Sequence, residues 1–289
     1  KTALAANLAS LIHGEIISAD SRQIYRGMDI GTGKDIDDYT INEIQIPHHI
    51  IDIVEPGTRY NVFEYLVAFT DSFNKIVQNE KIPILCGGSG MYIDSVLRGY
   101  KMSNVPENKI LRSQLSSLSE GELVNKLKTY GELHNRSDIT DVERLVRAIE
   151  IADHQTNNKS GDIYIPKFNS INFGISFERS VLRKRITERL KIRLDEGMIS
   201  EVKNLLDTGI KPDELIYYGL EYKFVTLYIT GAISYESMFT QLNTAIHQFA
   251  KRQMTWYRRM EKKGVKIHWI DGSIDIVDKL AVILKYLNN

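Results

Sequence analysis

Asp20, Ser21, Arg22 and Gln23 occupy four consecutive positions. They supply a carboxylate that can take a proton, a hydroxyl, a fixed cation and an amide able to read a polar edge from either side. The apolar run Glu15-Ile16-Ile17 ahead of them predicts a buried strand over 15–18. In open α/β sheets, ligands bind beyond the carboxyl ends of the strands, so the quartet stands where chemistry is usually done. A solvated turn capped by Asp20 or Ser21 is the plain alternative. The continuation Ile24-Tyr25-Arg26-Gly27-Met28-Asp29-Ile30-Gly31-Thr32 is far more than a cap requires. The quartet, with Asp20 at its head, is therefore the candidate site of the chemistry.

Two further segments have the composition of anion sites. Lys1-Thr2 opens Ala3-Leu4-Ala5-Ala6-Asn7-Leu8-Ala9, a strong helix former. A Lys-Thr pair at a helix start, one helix before a strand ending in Asp, has the form of the end of a phosphate-binding loop. There the Lys reaches phosphate and the Thr hydroxyl reaches Mg²⁺. The glycine-rich half of such a loop would precede Lys1, so the chain is expected to begin inside the motif. The second segment, Ile82-Pro83-Ile84-Leu85-Cys86-Gly87-Gly88-Ser89-Gly90-Met91-Tyr92, reads as buried strand, glycine turn and helix start. Its glycines permit close backbone approach, and a helix N-terminus favours anions.

Charge is distributed rather than accumulated. The 289 residues carry 37 basic and 37 acidic side chains, yet two windows are strongly basic. Over 179–193, seven Lys and Arg oppose only Glu188; over 251–266, seven oppose only Glu261. In the first window Leu182, Ile186, Leu190 and Leu194 repeat every four residues as a buried stripe, with Arg185, Arg189 and Arg193 in a parallel row. In the second, Phe249-Ala250-Lys251-Arg252-Gln253-Met254-Thr255-Trp256-Tyr257 interleaves cations and aromatics, as an RNA loop with unstacked bases requires. One face of Trp256 is expected in the core. Within Asp141-Val142-Glu143-Arg144-Leu145-Val146-Arg147-Ala148-Ile149-Glu150, Arg144 and Arg147 are three apart on one helix face, suited to a phosphate backbone. A single cysteine, Cys86, excludes an internal disulfide and fits a reducing compartment. No apolar run approaches a membrane span. Adjacent His48 and His49 on a strand would point to opposite faces and cannot share one ion, so they read as structural.

These residues need a scaffold of alternating elements. Strands are predicted over 15–18, 50–54, 83–86, 172–177 and 266–270, and helices over 2–12, 63–78, 89–98, 181–207 and 234–260. This alternation argues for an α/β parallel sheet covered on both faces. The stretch from about 105 to 165 is polar and lacks strand patterning; Leu111, Leu115, Leu118, Leu123, Leu127 and Leu133 make it helical.

The motifs and their order resemble the tRNA dimethylallyltransferase (tRNA isopentenyltransferase) family. The Asp-Ser-Arg-Gln run, Pro47-His48-His49, Gly87-Gly88-Ser89, the Arg144–Arg147 helix, the Leu182 to Arg189 segment and Lys251-Arg252-Gln253-x-Thr255-Trp256 all take part. The resemblance implies a P-loop-NTPase-like core over 1–105 and 166–289, with a helical insertion domain over 106–165 that contributes to tRNA binding. It implies transfer of the prenyl group of dimethylallyl diphosphate to N6 of adenosine at tRNA position 37, 3′ of the anticodon. Catalytic roles fall to Asp20, Thr2 and Arg185. Lys1, Thr2, Arg185 (first in the row) and Arg189 (second) would hold the donor, with Mg²⁺ near Thr2. Asp20, Ser21, Arg22, Gln23, Ser89, Glu143, Arg144, Leu145, Val146, Arg147, Lys251 and Arg252 would meet the tRNA anticodon stem-loop. A cytoplasmic monomer needing no protein partner and no membrane is expected. Val142 stands where the family has proline. Where it has Gly-Tyr followed by a basic residue, this chain reads Gly219-Leu220-Glu221-Tyr222-Lys223. An adenylate isopentenyltransferase acting on free nucleotide shares the phosphate loop and aspartate, but generally lacks the insertion and the basic C-terminal segment. A P-loop nucleotide kinase leaves the Asp-Ser-Arg-Gln run unexplained, and a non-catalytic RNA-binding module has no need of Asp20.

Overall fold

The computed structural model describes residues 1–131, 141–157 and 163–287. In chain order the elements begin α1 (Thr2–Ile12), β1 (Gly14–Ala19), β2 (Thr40–Ile41), β3 (Ile44–Gln45), β4 (His48–His49), α2 (Val62–Gln78), β5 (Ile82–Gly87) and α3 (Gly90–Leu97). Three helices follow: α4 (Lys109–Leu115), α5 (Glu120–Lys128) and α6 (Val142–Asn157). The chain continues with β6 (Asn172–Ser176), α7 (Arg179–Asp195), α8 (Met198–Asp207), α9 (Pro212–Tyr217), α10 (Leu220–Ile229), α11 (Tyr235–Lys262), β7 (Ile267–Asp271) and α12 (Ile276–Leu287). Contacts divide it into two compact units, Lys1–Gly99 with Ile165–Asn289, and Tyr100–Tyr164.

In the larger unit β1 is central, parallel to β4 on one side and β5 on the other. Ile16, Ile17 and Ala19 are fully buried, as a strand covered on both faces demands. The alanines of α1 explain how it covers the sheet. Ala5, Ala6 and Ala9 have no bulk to hold the helix away, and they pack on Ile16, Tyr39 and Ile46. Leu8 turns instead toward Ile270, Leu280 and Ile283, with Phe173 and Ile175 alongside, so α1 also covers the parallel pair β6–β7. α2 starts with a capping box between Asn61 and Glu64. It buries Tyr65, whose ring stacks on Tyr92 of α3 at 3.8 Å.

Four of the five expected strands and four of the five expected helices form close to their expected bounds. The strand expected over 50–54 does not form. Ile50 and Asp52 take positive φ, 61° and 54°, which an extended strand cannot include. The segment serves the chemistry-bearing loop instead: Asp52 and Ile53 N–H donate to Gln23 and Ile24 carbonyls at 3.1 and 2.8 Å. The helix expected over 181–207 is two, because Gly197 at φ 105° turns the chain between α7 and α8. The short β2–β3 hairpin and helices α9, α10 and α12 have no counterpart in the predicted elements.

The smaller unit is helical. Leu111, Leu115, Leu123, Leu145 and Ile149 form its core, flanked by Leu118, Leu127 and Val146; Leu133 lies outside the described residues. Its polar anchor is Glu150, whose side chain is fully buried. Glu150 accepts two bonds from Arg112 at 2.8 Å each, one from the Asn108 N–H at 2.9 Å and one from Arg147 at 3.1 Å. Burial alone would push this carboxyl up; the bonds from Arg112, Asn108 and Arg147 outweigh it and hold the pKa down at about 2. The unfolded chain would titrate near 4.3. The stabilisation is therefore fully present above about pH 4.5 and is lost as pH falls toward 2, on the order of 3 kcal/mol. Amide exchange of the intact protein between pH 5 and 2.5 should show the α4 and α6 amides losing protection over that window, and Glu150→Gln should lose it already at pH 7. A profile flat below pH 4.5 would contradict this account.

Candidate active site

The register of β1 against β5 builds the site. Ser18 pairs with Cys86 and Ala19 with Gly87, so Asp20 leaves β1 beside the Gly88-Ser89 turn. The Ala19 carbonyl accepts from the N–H groups of Gly88 (3.2 Å) and Ser89 (3.0 Å). Gly87 is required here, since a Cβ on it would lie 2.2 Å from the Ala19 carbonyl oxygen. The Ser89 hydroxyl does not cap α3; it accepts from the Ser21 N–H at 2.9 Å and donates to the Ser21 hydroxyl at 3.2 Å. Asp20 Oδ1 accepts from the Arg22 N–H at 2.9 Å, leaving Oδ2 without a bond in the described structure. Gln23 donates to the Gly33 carbonyl at 2.9 Å, and its amide oxygen accepts from Ser18 at 3.4 Å. Its amide is thus spent on the loop.

Cationic side chains crowd the loop and the glycine turn beside this carboxylate. Gly33, at φ +64°, lies under two guanidinium groups: a Cβ there would be 1.6 Å from Arg193 Nη2 and 2.5 Å from Arg189 Nη2. Arg189 reaches Asp35 at 3.3 Å. Burial, then the neighbouring Arg189, pulls the Arg193 pKa down, and Arg193 Nη2 is buried without a hydrogen-bond partner among the described residues. Asp38 accepts from the Ala3 N–H at the start of α1; burial and then Asp35 push its carboxyl up. The Lys1 ammonium and the Gln253 amide both close over Gly88, each 2.8 Å from where its Cβ would be. Gln253 and Tyr257 of α11 donate to the Gly88 carbonyl at 2.8 and 3.3 Å. The Tyr257 phenol is pushed up to about 12 by burial and then by Asp20, and the buried Cys86 thiol is likewise raised. Thr2 heads the first turn of α1. A hard cation such as Mg²⁺ keeps most of its water and takes phosphate oxygens, so a single protein hydroxyl there fits its needs.

Arg185 stands apart from its row: its guanidinium lies over the Phe177 ring at 4.8 Å. In the smaller unit Glu143 and Arg144 are exposed. Leu145 is fully buried, so its side chain presents no surface, and Val146 is partly buried against the same core. Arg147 is committed to Glu150 and to the Val105 carbonyl at 2.7 Å. Lys251 and Arg252 are exposed on α11. Trp256 fills the space over Gly90, where a Cβ would lie 2.5 Å from its ring, which accounts for its inward face. His48 and His49 are engaged by the Ile46 carbonyl (3.2 Å) and Glu15 (2.7 Å), and no group of three or more metal-ligating residues gathers among the described residues.

Sequence reasoning missed the frame that holds the loop. Glu201 of α8 accepts three consecutive backbone N–H groups, from Asp29 (2.9 Å), Ile30 (2.7 Å) and Gly31 (3.1 Å), and the Tyr222 hydroxyl at 2.6 Å. Buried Lys34 binds Asp29 at 2.8 Å, Asp52, and the Tyr25 carbonyl. Glu221 is partly buried, its carboxyl pushed up by desolvation, with Arg193, Asp20 and Arg189 in electrostatic reach. Only the Asp-Ile-Gly spacing hinted at a built turn; nothing in it named Glu201. Glu201→Ala should lower stability by about 2–3 kcal/mol, since it strands several donors at once. Urea unfolding checks this, and a loss below 0.5 kcal/mol would show the loop to be held elsewhere.

A family model described as IPP transferase matches residues 23–260. A Bacteroides fragilis protein named tRNA dimethylallyltransferase 2 is 52% identical over 287 residues, covering 99% of this chain and 94% of its own. Porphyromonas gingivalis tRNA dimethylallyltransferase 1 is 53% identical over 285 residues, with 99% and 94% covered. Among solved structures, the full-length tRNA isopentenylpyrophosphate transferase of Bacillus halodurans matches with a TM-score of 0.70 at 28% identity, covering 100% of this chain and 91% of that one. A eukaryotic dimethylallyltransferase acting on tRNA shares the fold, with a TM-score of 0.78 at 20% identity, covering 100% and 77%.

Proposed function

The chain belongs to the IPP transferase family, and we propose that it transfers the dimethylallyl group of dimethylallyl diphosphate to N6 of adenosine at tRNA position 37. The products are N6-isopentenyladenosine and diphosphate. The observation that carries this reading is the placement of Asp20 at the carboxyl end of β1, with Lys1 over the neighbouring Gly88 and Arg189 and Arg193 over Gly33 of the loop that follows. An exocyclic adenine amine is a weak nucleophile because its lone pair is delocalised into the ring. A carboxylate that takes its proton as the C–N bond forms offsets that weakness, and Asp20 has an oxygen to spare for it. As the prenyl C–O bond breaks, its electron pair goes to diphosphate, and the developing charge is met by Lys1 and the arginine pair. Mg²⁺, held chiefly by diphosphate oxygens beside Thr2, would neutralise further charge when bound.

The acceptor must be flipped out of its loop to reach a strand end of this kind. Ser21, Ser89 and Arg22 line the approach, and exposed Arg144, Lys251 and Arg252 supply cations for phosphates. We assign Gln23 and Arg147 to holding structure, on the strength of their bonds. Among the described residues no helix is long and apolar enough to cross a membrane; cytoplasmic work as a monomer completes the proposal.

Asp20→Ala should slow transfer to an anticodon stem-loop by about 10²–10⁴-fold in single turnovers with dimethylallyl diphosphate, with RNA affinity kept. A loss below tenfold removes Asp20 from the role of base. AMP should be a negligible acceptor in the same assay; equal use of AMP would transfer the protein to the free-nucleotide class. For the donor, the stacking of Arg185 on Phe177 favours Arg189 as the diphosphate ligand. Calorimetry with inorganic diphosphate should show Arg189→Ala losing about tenfold in affinity and Arg185→Ala much less, the scale of one charge-assisted contact. The reverse order would return the role to Arg185.

A further inference from the structure

Tyr217 is the last residue of α9 and 47% exposed, an unusual position for a ring that its neighbours hold so firmly. Behind it Tyr218 is buried, with its hydroxyl accepting from the Gly57 N–H at 2.6 Å and donating to the Thr58 carbonyl at 3.1 Å. Tyr218 also packs on Tyr25 at 4.5 Å between centroids. Tyr217 stands edge-on to Tyr218, centroids 5.7 Å apart and planes at 76°. Its orientation is therefore set by a fixed aromatic base rather than by solvent.

Two guanidinium groups converge on the same ring, Arg59 at 5.3 Å and Arg22 at 5.8 Å from its centroid. At an exposed site such contacts contribute little to stability. A preset ring with two planar cations has the composition that takes an unstacked base together with its phosphates. Arg22 fixes the position of this group relative to the chemistry. Its main-chain N–H holds Asp20 at 2.9 Å while its side chain extends to Tyr217. The exposed ring is thus one arginine's length from the carboxylate that faces the acceptor amine.

We infer that Tyr217, flanked by Arg59 and Arg22, is a stacking platform for an unpaired base of the RNA loop neighbouring the modified adenosine. This deepens the tRNA reading of the site and rests on it. The platform sets acceptor affinity and leaves bond-making to Asp20, which gives it a kinetic signature distinct from that of the base.

The test uses the whole protein and a synthetic anticodon stem-loop carrying 2-aminopurine beside the acceptor adenosine. Binding to the wild type should quench the fluorophore through stacking. Tyr217→Ala should abolish the quench and raise the KM for RNA about tenfold, the usual worth of one base–aromatic stack. Saturated kcat and the KM for dimethylallyl diphosphate should hold within twofold. Tyr217→Phe should keep both quench and KM, because the face and not the hydroxyl is used. Arg59→Ala should move the RNA KM the same way by a smaller factor. An unchanged RNA KM and quench in Tyr217→Ala overturns the platform, as does a Phe variant as impaired as the Ala variant. Failure of the wild type to prenylate the stem-loop at all would instead strike at the tRNA reading, while the quench, which needs no turnover, still decides the stacking.

Discussion

The close approach of β1 and β5 at their carboxyl ends is the constraint on which the site depends. The pairing of Ala19 with Gly87 brings two backbones so near that no side chain fits between them. From that contact the Ala19 carbonyl gathers two N–H groups from the glycine turn, Ser89 is delivered to Ser21, and the Gly88 carbonyl is offered to Gln253 and Tyr257. One register thus aligns the Asp20 loop, the α3 N-terminus and the far end of α11. A shift by one residue would exchange the faces of β1 and carry its buried isoleucines out of the core.

The loop after β1 shows a second dependence, on charges that bind the loop itself. Its first half presents Asp20, Ser21 and Arg22; its second half, Gly27 to Lys34, is held from behind. Glu201 satisfies three successive backbone donors, as an anion bound in a nest does, and Lys34 ties Asp29 to Asp52 from inside. Such a run is specific in sequence because both the chemistry and its mounting are written in it. Glu150 plays the corresponding part in the helical unit, where it takes Arg147 into the structure and leaves Arg144 exposed.

This division explains what was legible beforehand. Apolar spacing sufficed for β1, β5, β6 and β7, and for the long helices, because each buries a continuous face. It failed over 50–54, where an apolar run with positive φ at Ile50 and Asp52 serves as the brace of a loop and not as a strand. Asp20 was visible because it heads a polar quartet at a strand end, and Ser89 because it sits among glycines at another. Glu201 was not, since the backbone donors it binds lie about 170 residues away in sequence, and no apolar spacing marks Lys34 as buried. Leu145, Val146 and Arg147 were grouped with Arg144 by motif; on a helix, adjacent residues face different ways, so Leu145 is buried, Val146 and Arg147 partly buried and Arg144 exposed.

The arginine row of α7 carries that argument one step further. Arg185, Arg189 and Arg193 are spaced by four, so a single helix face presents them over about 12 Å. Their surroundings then assign different work to each. Arg185 reaches Phe177 next to the α7 N-terminus, Arg189 meets Asp35, and Arg193 is drawn under Gly33. Gly33 takes φ +64°, which favours glycine, and without a Cβ it lets two guanidinium groups lie against the backbone. Glu221, standing where a basic residue was expected, lies within electrostatic reach of both arginines and of Asp20. When ionised, a carboxyl there offsets part of the arginines' charge, while its own burial pushes its pKa up. The departure from the family pattern at Glu221 thus falls beside two crowded arginines, and the two features are best understood together.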